Sequence, residues 1–184
     1  MLPSPGLKVE RTDALPLGVA RHPIRALADT RGSFAEIFRE TWETGVEPVQ
    51  WGLLKSEAGV LRGVHAHPRH DEFIIVIQGT MLLGLKDARR RSPSFGRAAL
   101  LTLSGKHPEL VTLPRGVAHG FYQETEGSLL LGAASYYDPT DDVGCHWADP
   151  ELGIAWPFRN PVLSDRDRTA PPFAALLAII DRGS

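Results

Sequence analysis

The chain has 184 residues, 42% of them hydrophobic and 23% charged, the size and composition of one globular domain with its own core. A formal net charge of −2, with acids and bases mixed along the chain, offers no basic surface for nucleic acid or an anionic membrane and leaves a small molecule as the expected partner. Cys145 is the single cysteine, which excludes an intrachain disulfide and suits a reducing cytoplasm.

From Met1 to Ala20 the chain carries prolines at 3, 5 and 16 and charges at Lys8, Glu10, Arg11 and Asp13. That is not the basic-then-apolar order of a signal peptide. Apolar runs such as Phe73 to Ile77 are far too short to span a membrane, so a soluble, cytoplasmic protein is expected.

Glycine (18) and proline (15) punctuate short apolar runs at about the 8 to 12 residue spacing of an all-β sandwich or barrel. The pattern predicts strands over 34–39, 49–55, 63–67, 73–77, 80–85, 98–103, 110–113, 120–123 and 129–137. Gln78-Gly79 separates two of these runs at the shortest hairpin spacing, with a glycine able to supply positive φ, so a tight turn is expected there. Near the end, Pro171-Pro172 opens the alanine- and leucine-rich run 173–180, which predicts one carboxy-terminal helix packed on the sheets. No internal repeat or low-complexity tract breaks the chain, and residues 1–184 are expected to form a single domain.

The densest chemistry is His65-Ala66-His67-Pro68-Arg69-His70. Residues two apart on a strand share a face, so His65 and His67 point to one side and Ala66 to the other. Imidazoles with a carboxylate make a ligand set for first-row metals, and Glu72 is placed to be that carboxylate. The spacing from Gly59 through His65, His67 and Glu72 to Gly79 matches the first cupin motif, and Pro114-Arg115-Gly116-Val117-Ala118-His119 matches the second, with Gln123 where an asparagine is usual. The chain therefore resembles a cupin, and the expected fold class is all-β: a double-stranded β-helix or jelly-roll barrel with a short carboxy-terminal helix. His70 reads as a solvated turn residue, while His22, His107 and His146 have no matched partner. Arg89-Arg90-Arg91 reads as a solvated turn.

Over most of its length the chain also resembles the dTDP-4-dehydrorhamnose 3,5-epimerase family. The collinear segments are Asp29-Thr-Arg-Gly-Ser-Phe-Ala-Glu36, Val49-Gln50, Val60-Leu-Arg-Gly-Val-His65, Ser92-Pro-Ser-Phe-Gly96, Leu113 to Phe121, Tyr136-Tyr-Asp-Pro139, Trp147-Ala-Asp-Pro150, Ile154-Ala-Trp-Pro157 and Leu163-Ser-Asp-Arg-Asp167. The resemblance implies a nucleotide-sugar epimerase or isomerase acting on a 4-keto-6-deoxyhexose, with proton abstraction beside the ketone and no required cofactor. It makes His65 the base and Asp167 the carboxylate that orients it. It places Arg31 and Arg62 on the diphosphate or sugar, His119 in the sugar pocket and Tyr137 against the base or sugar. The other expectation for the arginines is a surface ion pair, and for Tyr137 barrel packing. The resemblance also implies a homodimer.

Two positions depart from that family. Glu72 stands where a lysine stabilises the enolate, and a carboxylate there opposes the chemistry. Leu131 stands where a tyrosine protonates the opposite sugar face. Trp51-Gly52 replaces a usually polar pair, and His67 a usual glutamine. A divalent metal (iron, manganese, nickel or zinc) on His65, His67, Glu72 and His119 would replace the lost cation, at the cost of His65 as a free base. His-Ala-His is also similar to nucleotide-sugar 3,4-ketoisomerases, in which paired histidines move protons without metal. Three functions are thus in play: the epimerase or isomerase, a metal-dependent cupin such as an oxygenase, and a nucleotide-sugar binding protein without turnover.

Overall fold

A computed structural model describes residues 14–183; the leader reading of the first residues falls largely outside them. The described residues form twelve strands: β1 (Ala20–Pro23), β2 (Ala26–Asp29), β3 (Gly32–Ala35), β4 (Gln50–Ser56), β5 (Leu61–Ala66), β6 (Glu72–Gln78), β7 (Thr80–Asp87), β8 (Ala98–Ser104), β9 (Glu109–Leu113), β10 (Val117–Gln123), β11 (Gly127–Ala133) and β12 (Val143–Gly144). They build two five-stranded antiparallel sheets, ordered β1-β9-β6-β11-β4 and β12-β5-β10-β7-β8, with β2 and β3 forming a separate hairpin. Two helices follow, α1 (Asp165–Arg168) and α2 (Phe173–Gly183). This is the cupin barrel expected from the sequence, and no helix among the described residues is long and apolar enough to cross a membrane.

Strand alternation distributes the apolar side chains. On β6, Ile74 and Val76 join Met81, Leu83, Leu85, Val111 and Phe121 between the sheets, while Phe73 and Ile75 face outward onto Ile24, Val46 and Leu110. The outer face of the second sheet is covered by α2, whose Phe173, Leu176, Leu177 and Ile180 pack on Val64, Ala66, Ala88 and Ala118. Burial of Ala66 beneath this helix turns His65 and His67 toward the barrel interior.

The tight turn expected at Gln78-Gly79 is present, but the strands it joins do not pair with each other. Although the turn is tight, β6 pairs with β9 and β11 and β7 with β8 and β10, so the turn carries the chain from one sheet to the other. Gly79 has φ +85°, and a Cβ there would come within 2.6 Å of the Glu126 carbonyl. Spacing and glycine forecast the turn, but they carry no information about which sheet receives the next strand. The runs predicted at 34–39 and 129–137 are shorter as strands: β3 ends at Ala35 and β11 at Ala133.

Arg89 is not a solvated turn residue either. Its guanidinium holds the buried Asp87 carboxylate at 2.7 Å, and Arg90 pairs with Asp181 at 2.6 Å.

Candidate active site

The open end of the barrel holds a cavity of about 550 Å³ whose walls come from both sheets and from the segment leading into α1. β5 and β10 approach closely there: a Cβ on Gly63, at φ +116°, would lie 2.7 Å from the Gly120 Cα. This close packing sets His65 directly across from His119 in the antiparallel register.

His65 and Asp167 are brought together across 102 positions of sequence, with Nε2 2.6 Å from Asp167 Oδ1. Ser164 caps α1 by accepting from the Asp167 amide at 3.1 Å, which fixes the carboxylate at the cavity wall. Asp167 is 4% exposed. Burial works against its charge, but the hydrogen bond and charge of His65 hold its pKa below the ordinary aspartate value. An ionised carboxylate only accepts, so in the neutral ring Nε2 carries the proton and Nδ1 the lone pair. Nδ1 is 3.9 Å from Asp142 Oδ1, and Asp142 is itself bound by Arg166 at 2.6 Å.

A second cluster lines the same cavity. Glu72 is 7% exposed, with Oε1 2.9 Å from His119 Nε2 and Oε2 3.6 Å from His67 Nε2. Burial raises the Glu72 pKa, but the charges of His119, His67 and His70 and the His119 hydrogen bond outweigh it and leave the group below its usual value. Burial alone would deprotonate His119; the Glu72 carboxylate reverses this and pushes its pKa up. For His67, burial dominates over the attraction of Glu72 and the pKa falls.

His70 belongs to this cluster, contrary to the expectation of a solvated turn. Its side chain is 11% exposed and its Nδ1 lies 2.6 Å from the buried Asp141 carboxylate. The candidate ligands regroup accordingly: donor atoms of His67, His70 and Glu72 lie within 4.8 Å of one another, whereas His65 is engaged with Asp167. Sequence spacing could not include His70, because it reaches inward from the loop between β5 and β6 through a partner 71 positions away.

The remaining predicted residues divide. Arg62 lines the cavity, its guanidinium donating to the Ser56 hydroxyl at 3.0 Å and the Lys55 carbonyl at 3.3 Å rather than to a carboxylate. Tyr137 sits at the rim, 66% exposed, its amide donating to Gln50 Oε1 at 2.8 Å, so it is not barrel packing. Arg31 is absent from the cavity. It occupies the tip of the β2–β3 hairpin, exposed and paired with Asp29 at 2.7 Å. Leu131 on β11 and Gly52 on β4 form the wall contributed by the other sheet, while Trp51 faces out onto Phe38 and Phe73. Sequence reasoning overlooked Asp141 and Asp142, which no spacing rule singles out.

Residues 17–175 match the family model for dTDP-4-dehydrorhamnose 3,5-epimerase. An enzyme of that name from Pseudomonas aeruginosa is 34% identical over 159 residues, covering 82% of this chain and 88% of the relative, and one from Shigella flexneri is 31% identical over 158 residues, covering 81% and 87%. Among solved structures, a dTDP-6-deoxy-D-glucose-3,5-epimerase from Legionella pneumophila in complex with dTDP-4-keto-L-rhamnose superposes with a TM-score of 0.85 at 28% identity, covering 95% of this chain and 96% of that one. A 4-keto-6-deoxy sugar epimerase from Streptomyces spheroides gives 0.86 at 27% identity, covering 97% and 94%. With the family model matched over residues 17–175 and relatives more than 30% identical over four fifths of the chain, the chain belongs to the dTDP-4-dehydrorhamnose 3,5-epimerase family.

Proposed function

We propose that the protein is a nucleotide-sugar epimerase that acts on a dTDP-4-keto-6-deoxyhexose by removing a proton next to the ketone. The observation that carries this reading is the His65–Asp167 pair at 2.6 Å on the cavity wall. A proton on C3 or C5 is acidified by the C4 carbonyl, because the anion left behind is an enolate. His65 Nδ1 takes that proton, and the resulting imidazolium is stabilised through Nε2–H by the Asp167 carboxylate. Arg62 and Tyr137 are the groups at the cavity suited to the diphosphate and to a base or sugar face. Family membership favours this isomerase over an oxygenase.

The test is incubation with dTDP-4-keto-6-deoxyglucose in heavy water, followed by proton NMR. Deuterium entering C3 or C5 is the expected result. Tight binding of the nucleotide sugar with no exchange would instead identify a non-catalytic binding protein and overturn the proposal.

A homodimer completes the site in this reading. Arg31 lies outside its own cavity on an exposed hairpin that also presents Leu27 and Phe34, 60% and 66% exposed. Its guanidinium can serve a nucleotide only in another subunit's cavity. Light scattering should therefore give the mass of two chains, and Arg31→Ala should weaken nucleotide binding without unfolding the monomer. A monomer with full affinity would exclude this arrangement.

A further inference from the structure

A neutral imidazole has one donor and one acceptor nitrogen. In His67, His70 and His119 the donor is assigned by the surroundings, because each Nδ1 faces an oxygen that only accepts. These are the Asp141 carbonyl at 3.0 Å, the Asp141 carboxylate at 2.6 Å and the Val117 carbonyl at 3.1 Å. Each Nδ1 is thus protonated, and each Nε2 of a neutral ring is a lone pair. Around the buried Glu72 carboxylate these rings stack closely, His67 on His70 with centroids 4.3 Å apart and His67 near His119 at 5.4 Å. His119 Nε2 lies 2.9 Å from Glu72 Oε1 and His67 Nε2 3.6 Å from Glu72 Oε2, and His70 Nε2 is the nitrogen that Asp141 leaves open.

The geometry points to a divalent first-row cation bound by His67 Nε2, His70 Nε2 and the Glu72 carboxylate, inside the cavity that contains the His65–Asp167 pair. Two imidazoles and one carboxylate are a ligand set for zinc, cobalt, nickel, manganese or iron. Their donor atoms already lie within 4.8 Å of one another, and metal–ligand bonds of about 2.1 Å bring such donors to roughly 3.0–3.4 Å, a closure that side-chain rotation supplies. The outer layer is in place as well. Asp141 orients both imidazoles, one through its carbonyl and one through its carboxylate, and is held by the Arg69 amide at 2.9 Å and Arg69 Nε at 3.2 Å. His119 fixes the second oxygen of Glu72. Metal-bound histidines with the other nitrogen on a carbonyl or carboxylate follow this pattern.

Exchanging His65 for His70 in the ligand set removes the conflict between base and ligand, since His65 keeps its lone pair while the cation sits on the neighbouring groups. The role of the cation rests on the epimerase reading. On the wall where Glu72 replaces a lysine, it would supply the positive charge that an enolate oxygen needs.

The experiment uses full-length protein stripped with chelator, then titrated with Co²⁺ and Zn²⁺ by calorimetry and by the visible absorption of Co²⁺. One equivalent per chain is expected. His70→Ala and Glu72→Gln should each lower affinity about 100-fold or more, Asp141→Asn about 10- to 100-fold, and His65→Asn by less than about threefold. Circular dichroism verifies that each variant is folded, and His67→Gln provides a further ligand substitution. Binding below about a tenth of an equivalent, or binding lost in His65→Asn and retained in His70→Ala, would overturn the site. Deuterium exchange is measured in parallel on stripped and loaded protein. Exchange without metal binding removes the cation site alone, and metal binding without exchange removes the epimerase reading alone.

Discussion

Replacing His65 by asparagine is expected to lower deuterium exchange into the sugar by roughly two to four orders of magnitude, the range that a positioned general base contributes. The argument lies in the tautomer. Asp167 Oδ1 at 2.6 Å keeps the proton on Nε2 and presents the Nδ1 lone pair to the cavity, while the depressed pKa of Asp167 keeps it an acceptor throughout the neutral range. Asparagine at position 65 retains polarity and bulk but has no basic nitrogen. Asp167→Asn attacks the same device from behind. Its amide can donate to Nε2 and drive the proton to Nδ1, the wrong tautomer, and the expected loss is about 10²- to 10⁴-fold. Both variants should bind dTDP with unchanged affinity and melt near the parent temperature. Loss of turnover with intact binding separates the chemical role from a structural one, and a His65→Asn enzyme with exchange within tenfold of the parent would exclude His65 as the base.

Much of this site was legible because it depends on local periodicity. His65 and His67 lie two apart around an alanine, and the structure puts Ala66 under α2 and both imidazoles in the cavity. Glu72 and His119 were legible through motif spacing. What escaped depends on contacts between distant segments. His70 is drawn inward only because Asp141 is buried beside it, and Arg31 is excluded from its own cavity only because β2 and β3 form a hairpin outside both sheets. Gly79 illustrates the same division for the fold: its positive φ is a local property, whereas the transfer of β7 to the opposite sheet is set by pairing with β8 and β10. The short helix α1, four residues of alternating charge, has no apolar periodicity to announce it, yet it positions Asp167.

Leu131→Tyr is expected to raise the yield of inverted sugar per exchange event by at least about tenfold. An enolate is planar at the carbon that lost its proton, so the configuration of the product depends on which face is reprotonated. His65 stands on β5 in one sheet and Leu131 on β11 in the other, both lining the cavity. A proton returned by His65 restores the original configuration and registers only as exchange. Inversion needs a proton from the β11 side, where leucine has none and water must serve, whereas a phenol with a pKa of about 10 is a competent donor there. The parent should accordingly incorporate deuterium into unchanged sugar faster than it forms the epimer. Room for the larger ring exists, because Leu131 pairs with Gly52 on β4 and a Cβ on that glycine would only reach ordinary contact with it, at 3.7 Å. Leu131→Phe supplies the ring without the proton and should leave the ratio near the parent value. Equal gains from tyrosine and phenylalanine would trace the effect to packing and would remove the β11 wall as the face from which the second proton is missing.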